Sequence, residues 1–186
     1  KISWLRKWML VQGYDKVLLS SLDEVVWMLN VRGSDIEYNP LVISYLLVSQ
    51  DYVKWFVKKS VVDSELDPDT LDSFDELRMD GVDVEDYDAV FFALSDFGED
   101  ADSGVIFIDP STLNANVHKY ISGCFPAESV VCGTSPVILE KAVKTESEIA
   151  GMRQTYIDDG VAVERFLHWL ETEVASGREV NEWEAS

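Results

Sequence analysis

His118 and His168 are the only histidines in the chain, and imidazole is the commonest metal ligand and general base, so the search for chemistry starts there. His118 falls in a predicted helix with no Cys, Asp or Glu at metal-ligand spacing, and reads as a surface or half-buried histidine. His168 stands in FLHWL, with Glu164 one turn before it and Glu171 one turn after. That is a helix-face cluster, yet neither HExxH nor any three-ligand set accompanies it. The acidic run DFGEDAD at 96–102 has the charge of a calcium loop, but its glycine is misplaced and the closing glutamate is missing, which leaves weak adventitious binding at most. Asp158 and Asp159 are neighbours on a helix and diverge. There is no GxSxG elbow, P-loop or GxGxxG fingerprint. Cys124 and Cys132 are too far apart for a CxxC pair and have no second pair to complete a zinc site. A disulfide between them stays open, but two thiols in a reducing, cytoplasmic compartment are the simpler reading. The sequence therefore offers no catalytic residue and no metal ligand.

The elements that would carry a site follow from periodicity. Residues 1–11 read as a helix closed by Gly13, whose lack of a Cβ suits a left-handed cap, and residues 16–20 as a short strand. Ser21 and Glu24 have capping-box spacing at the head of a short helix that ends near Asn30. Strand-like runs at 41–48 and 52–57 are joined as a hairpin through Ser49-Gln50-Asp51. Helices are predicted at 69–79 and 87–97, a buried strand at 105–108, and a helix from Asp109-Pro110-Ser111 to about Ile121. Short strands are expected at 130–131 and 137–139. The alternation argues for an α/β domain with a mixed sheet flanked by helices. After Ala142 the pattern changes. Thr145 and Glu148 again have capping-box spacing, and apolar residues from Ile149 to Val174 recur at three- and four-residue steps until Gly177, as in a long amphipathic helix. Residues 1–142 thus read as one domain and 143–186 as the beginning of another. The missing initiator Met and a helix starting at Asn181-Glu182, too short to repay its nucleation, suggest a piece of a longer protein.

Charge is unevenly spread. The chain carries a formal net charge of −20; residues 61–109 hold 17 acids and a single base, Arg78. Such a surface repels phosphate backbones and argues against nucleic acid as a partner; its simplest role is solvation. No apolar run reaches the roughly 18–20 residues of a membrane span. With 47 % hydrophobic residues, including six Trp, seven Tyr and eight Phe, the chain has the material for a packed core.

One stretch is more specific. LDEVVWMLNVRGSDIEYNPLVISYLLVS (22–49) resembles the middle domain of the eukaryotic-type Xaa-Pro aminopeptidases (aminopeptidase P), members of the creatinase-like, pita-bread metallopeptidases. Asp23, Trp27, Asn30, Arg32, Gly33, Asp35, Asn39 and Pro40 carry the match. VIFIDPSTLN (105–114) and SPVILEKAVKTESEIAGMRQTYIDDGVA (135–162) resemble, in order, the strand-Asp segment of that domain and the passage into the catalytic domain.

The resemblance implies a creatinase N-terminal-domain-like fold followed by the first long helix of a pita-bread catalytic domain. It implies a parent that removes an N-terminal residue preceding proline, with peptides carrying proline in second position as partners and a homodimer as a common assembly. Two divalent metal ions, commonly manganese, would be bound by two Asp, one His and two Glu beyond Ser186, so none is held here and this chain alone is expected to be inactive. The signature residues then read as architecture: Asn30 ends its helix left-handed, Gly33 permits a tight turn, Asn39-Pro40 leads into the next strand, and Arg32 pairs with Asp35 across the turn. The functional alternative is that the loop overhangs the cleft and shapes substrate access. A different class, a non-catalytic pita-bread protein of the histone-chaperone kind, would use the acidic surface to bind basic partners.

Overall fold

The computed structural model describes residues 1–58, 75–99 and 104–185. They divide into two compact units, Lys1–Lys141 and Ala142–Ser186. In the first, six strands form one mixed sheet in the order β4-β3-β2-β1-β5-β6: β1 (Lys16–Leu19), β2 (Ser44–Ser49), β3 (Val53–Val57), β4 (Val82–Asp86), β5 (Ile106–Ile108) and β6 (Val130–Cys132). β1 lies antiparallel to β2, with Lys16 opposite Ser49, and parallel to β5, with Lys16 opposite Ile106. β2–β3 is the antiparallel hairpin, while β3–β4 and β5–β6 are parallel.

The two faces of the sheet bury different side chains because successive strand residues point to opposite sides. On one face Val17, Leu19, Leu46, Val48, Val53, Trp55, Val57 and Phe107 pack against Leu5 and Met9 of α1 (Ile2–Gln12) and Val25, Val26, Met28 and Leu29 of α2 (Leu22–Leu29). On the other, Leu18, Tyr45, Leu47, Phe56, Ile106 and Ile108 meet Val90, Ala93 and Leu94 of α3 (Ala89–Glu99) and Val117 and Ile121 of α4 (Ala115–Cys124). Covering both faces explains why apolar residues follow one another without alternation in β1 and β2: every residue of each is buried. Trp8, Tyr14 and Phe107 form an aromatic trio with centroids 5.2–5.4 Å apart, tying α1 to β5.

Several local expectations need correction. Residues 137–139 are not a strand but the start of helix α5 (Val137–Ala142); Val137, buried in the core, supplies a single inward contact that a strand pattern also fits. The helix expected from Asp109 begins later: residues 110–112 turn back on the Asp109 carboxylate, and Asn114 is the true cap, its side chain accepting the Val117 amide at 3.0 Å. β4 was not anticipated, because VDVED alternates valine with acid and reads as part of the acidic run. Residues 75–79 are helical; the earlier part of the helix expected at 69–79 lies outside the described residues.

The second unit contains α6 (Glu146–Ala175), thirty residues opened by the anticipated capping box: Thr145 Oγ1 accepts the Glu148 amide and Glu148 accepts the Thr145 amide. At 1.5 Å per residue it is about 45 Å long. It has no buried residue, and Tyr156, Ile157, Val163 and Leu167 are exposed. Gly177, at φ 84°, ends it. Arg178 then binds Glu173 at 2.9 Å and Glu184 of α7 (Glu182–Ala185) at 3.7 Å.

Candidate functional site

Sheet register gathers the polar chemistry of the first unit at one edge. β1, β5 and β6 run parallel, so their carboxyl ends lie together, and β2, antiparallel to β1, starts at the same edge. In α/β sheets that edge is where loops are free to build sites. Here it carries the segment 30–43 and a buried carboxylate set.

The segment begins where α2 stops. Asn30 takes a left-handed conformation, φ 57°, and its amide bonds back to the Trp27 and Val26 carbonyls. The tie is strengthened by Lys1, whose ammonium donates to the Trp27 carbonyl at 2.5 Å and lies 4.3 Å from the Trp27 ring centroid. Gly33 is not left-handed; what it provides is space, since a Cβ there would sit 2.4 Å from Val42 Cγ2. The Gly33 amide donates to the Pro40 carbonyl, the Asp35 amide to the Leu41 carbonyl, and the Ile43 amide to Asp35 Oδ2 at 2.8 Å. Asn39 closes the tip, its amide donating to the Ile36 carbonyl and its side chain to the Glu37 carbonyl. Tyr38, at φ 63° and 95 % exposed, is displayed there.

Arg32 does not pair with Asp35. Its guanidinium donates to the neighbouring Val31 carbonyl at 2.9 Å, while the Asp35 carboxylate accepts the Ile43 amide. Both residues are exposed, and of the two it is the aspartate that bonds across the loop.

Beside the loop lies a set that the residue search did not find. Ser21 opens α2 without capping it; its hydroxyl goes to Asp23 Oδ1 instead. Glu24, 2 % exposed, does not reach back to close a capping box but accepts the Ser135 hydroxyl at 2.6 Å. The Ser135 amide donates to Asp109 Oδ2 at 2.8 Å, and Asp109 Oδ1 accepts both the amide and hydroxyl of Ser111. Lys141 of α5 pairs with Asp23. Burial raises the Glu24 carboxyl above its ordinary range, the neighbouring Asp23 and Asp109 charges adding to it against the opposing Ser135 bond and Lys141 charge. Burial also works to raise Asp23 and Asp109, but hydrogen bonds win and both are lowered: Lys141 and Ser21 act on Asp23, Ser111 and the Ser135 amide on Asp109. The signal in the sequence was that all these residues except Ser21 fall within the three segments of the resemblance.

This arrangement ties α2, the turn after β5 and the segment before α5 to one another. The Ser135 hydroxyl is bonded to a carboxylate and not to an imidazole that would take its proton; His118 is exposed on α4 and His168 on α6. His168 and Glu164 do line one shallow groove on α6 with Tyr156, Gly160 and Arg165. Among the described residues, no three His, Cys, Asp or Glu side chains converge to hold a metal ion, and Cys124 and Cys132 are free thiols.

Comparison with known proteins places this architecture. Residues 1–148 match the Creatinase/Prolidase N-terminal domain, and the chain belongs to that family. It is 33 % identical to Xaa-Pro aminopeptidase 1 of Dictyostelium discoideum over 94 % of this chain and 25 % of that protein. To Xaa-Pro aminopeptidase ApepP of Drosophila melanogaster it is 33 % identical over 90 % of this chain and 26 % of the other. A crystal structure of X-prolyl aminopeptidase from Caenorhabditis elegans, described as a cytosolic enzyme with a di-nuclear active site, superposes with a TM-score of 0.83 at 29 % identity, covering 99 % of this chain and 29 % of that one. An Xaa-Pro dipeptidase from Bacillus anthracis shares the fold at TM-score 0.63 and 17 % identity, over 90 % of this chain and 42 % of the other. The chain thus spans between a quarter and a third of the length of these three aminopeptidases.

Proposed function

We propose that the chain is the non-catalytic, creatinase-like segment of a metal-dependent Xaa-Pro aminopeptidase, with residues 143–186 opening the pita-bread catalytic domain that follows. The parent releases the N-terminal residue of peptides with proline in second position, in the cytoplasm; a homodimer and two divalent ions, manganese by the resemblance, complete the reading. The observation that carries it is the likeness, over 99 % of this chain, to an X-prolyl aminopeptidase described as having a di-nuclear active site. The described residues offer no seat for a metal, so no step of the reaction is assigned to them. Their contribution is positional: a sheet covered on both faces, and at its carboxyl edge a braced loop that projects Arg32 and Tyr38.

The test is release of the N-terminal residue from an Xaa-Pro peptide, with manganese added, by the full-length parent and by the 186-residue chain. Turnover confined to the parent and abolished by a chelator supports the reading. A folded parent without turnover points instead to a binding protein using its acidic surface. Turnover by the 186-residue chain itself contradicts the assignment of chemistry to the remainder.

A further inference from the structure

Three carboxylates meet where α2, the turn after β5 and the segment before α5 come together, and they are served unequally. Asp109 accepts three donors: the Ser111 amide, the Ser111 hydroxyl and the Ser135 amide. Asp23 has the Lys141 ammonium and the Ser21 hydroxyl. Glu24, the most deeply buried of the three, has one donor among the described residues, the Ser135 hydroxyl. An ionised carboxylate held out of water on a single neutral donor, with two like charges nearby and the one ammonium engaged by Asp23, is the unfavourable member of the set. Ser135 joins all of it: its amide serves Asp109, its hydroxyl serves Glu24, and its oxygen accepts the Val137 amide at 3.3 Å that starts α5.

We propose that Glu24 is a proton-dependent latch on the strap formed by residues 135–141. A proton taken from bulk water onto the free oxygen of Glu24 removes the buried charge while the carbonyl oxygen still accepts the Ser135 hydroxyl, so the strap is held tightly. Loss of that proton to water leaves a third negative charge beside Asp109 and Asp23, and the strap loosens. The charged groups that face Glu24 are Asp23 from its own helix, Asp109 from the turn after β5 and Lys141 from α5. The first two keep their charge to lower pH than usual, whereas Glu24 is raised, so of the three Glu24 holds its proton to the highest pH. The strap is the last element of the first unit before the chain passes to Ala142, so the latch acts on the only covalent route out of this fold in that direction.

The test is amide hydrogen exchange in the 186-residue chain, corrected for the intrinsic rate at each pH. Protection of the Ser135 and Val137 amides should fall severalfold as pH rises through the raised titration range of Glu24. In Glu24→Gln, which keeps an acceptor and carries no charge, protection should stay at the low-pH level throughout. Independently of any variant, the Glu24 carboxyl carbon resonance should titrate above the ordinary glutamate value. Flat protection in the unmodified chain, an equal fall in Glu24→Gln, or a Glu24 resonance titrating at or below the ordinary value would each overturn the latch.

Discussion

Gly33 lies against Val42 so closely that a methyl group cannot be inserted between them: a Cβ would stand 2.4 Å from Val42 Cγ2 and 3.1 Å from the Leu41 carbonyl. The contact closes the loop at its base, where the Gly33 amide also meets the Pro40 carbonyl. Val42 is itself buried in the core and has little room to yield. Gly33→Ala should therefore destabilise the chain by roughly 1–3 kcal/mol through overpacking. Thermal unfolding would show this as a Tm lowered by about 2–4 °C per kcal/mol.

Arg32 should behave in the opposite way. Its guanidinium bonds to the carbonyl of the preceding residue, and it is exposed. Arg32→Ala should leave stability within about 0.5 kcal/mol of the unmodified chain. Read together with turnover in the full-length parent, this separates the two roles open to the loop. Unchanged melting with reduced turnover assigns the guanidinium to the substrate side, and a lowered Tm restores it to the architecture.

Asn114 does two jobs that can be separated. Its side-chain oxygen caps α4 and its amide donates to the Tyr45 hydroxyl, which also accepts the Tyr87 hydroxyl at 3.0 Å. Asn114→Ser keeps a capping oxygen and loses the link to Tyr45, whereas Asn114→Ala loses both. The alanine variant should be less stable than the serine variant by about 1 kcal/mol in urea unfolding.

The carboxylates at the head of α2 give a pH dependence of stability with two opposed signs. Asp109 is lowered in the fold, so its stabilising contribution is complete above its unfolded value of 3.8 and is lost as pH falls through the lowered folded value. Glu24 is raised, so its contribution is complete below 4.5 and is lost as pH rises through the raised folded value. Glu24→Gln should therefore gain stability relative to the unmodified chain as pH rises from about 4 to about 7. Asp109→Asn should do the reverse. It is less stable at neutral pH by roughly 1–3 kcal/mol, because an amide group then faces the Ser135 or Ser111 donors, and its deficit shrinks in acid. Urea midpoints at about pH 4 and about pH 7 measure the first difference, and midpoints taken below pH 3.8 measure the second.

The architecture was legible where burial writes a regular pattern. KVLL and SYLLVS announce central strands because both faces are covered, and Thr145-Glu-Ser-Glu148 announces a helix because both halves of its cap are local. The errors share a cause. Ser21 and Glu24 have the same spacing as Thr145 and Glu148, yet Glu24 is drawn away by Ser135, which lies 111 residues further along the chain. In the same way Arg32 and Asp35 look like a pair until the Ile43 amide takes the carboxylate. Local spacing fixes which bonds a residue can make, and tertiary neighbours decide which it does make. The buried brace of Glu24, Ser135 and Asp109 was invisible for that reason, although each member falls inside a segment whose resemblance to the aminopeptidases was already apparent.

β1 receives its two neighbours at very different distances along the chain. Lys16 meets Ser49 on one side and Ile106 on the other. Closing the longer loop costs more chain entropy before any contact repays it. The antiparallel half, β1 with the β2–β3 hairpin, should therefore assemble first, and β5 and β6 should add to a preformed template. During synthesis from the amino terminus, the β5 side of Val17 and Leu18 stays unpaired until Ile108 has emerged. Over that interval the nascent chain presents an apolar strand edge, and this is when it would most need a chaperone.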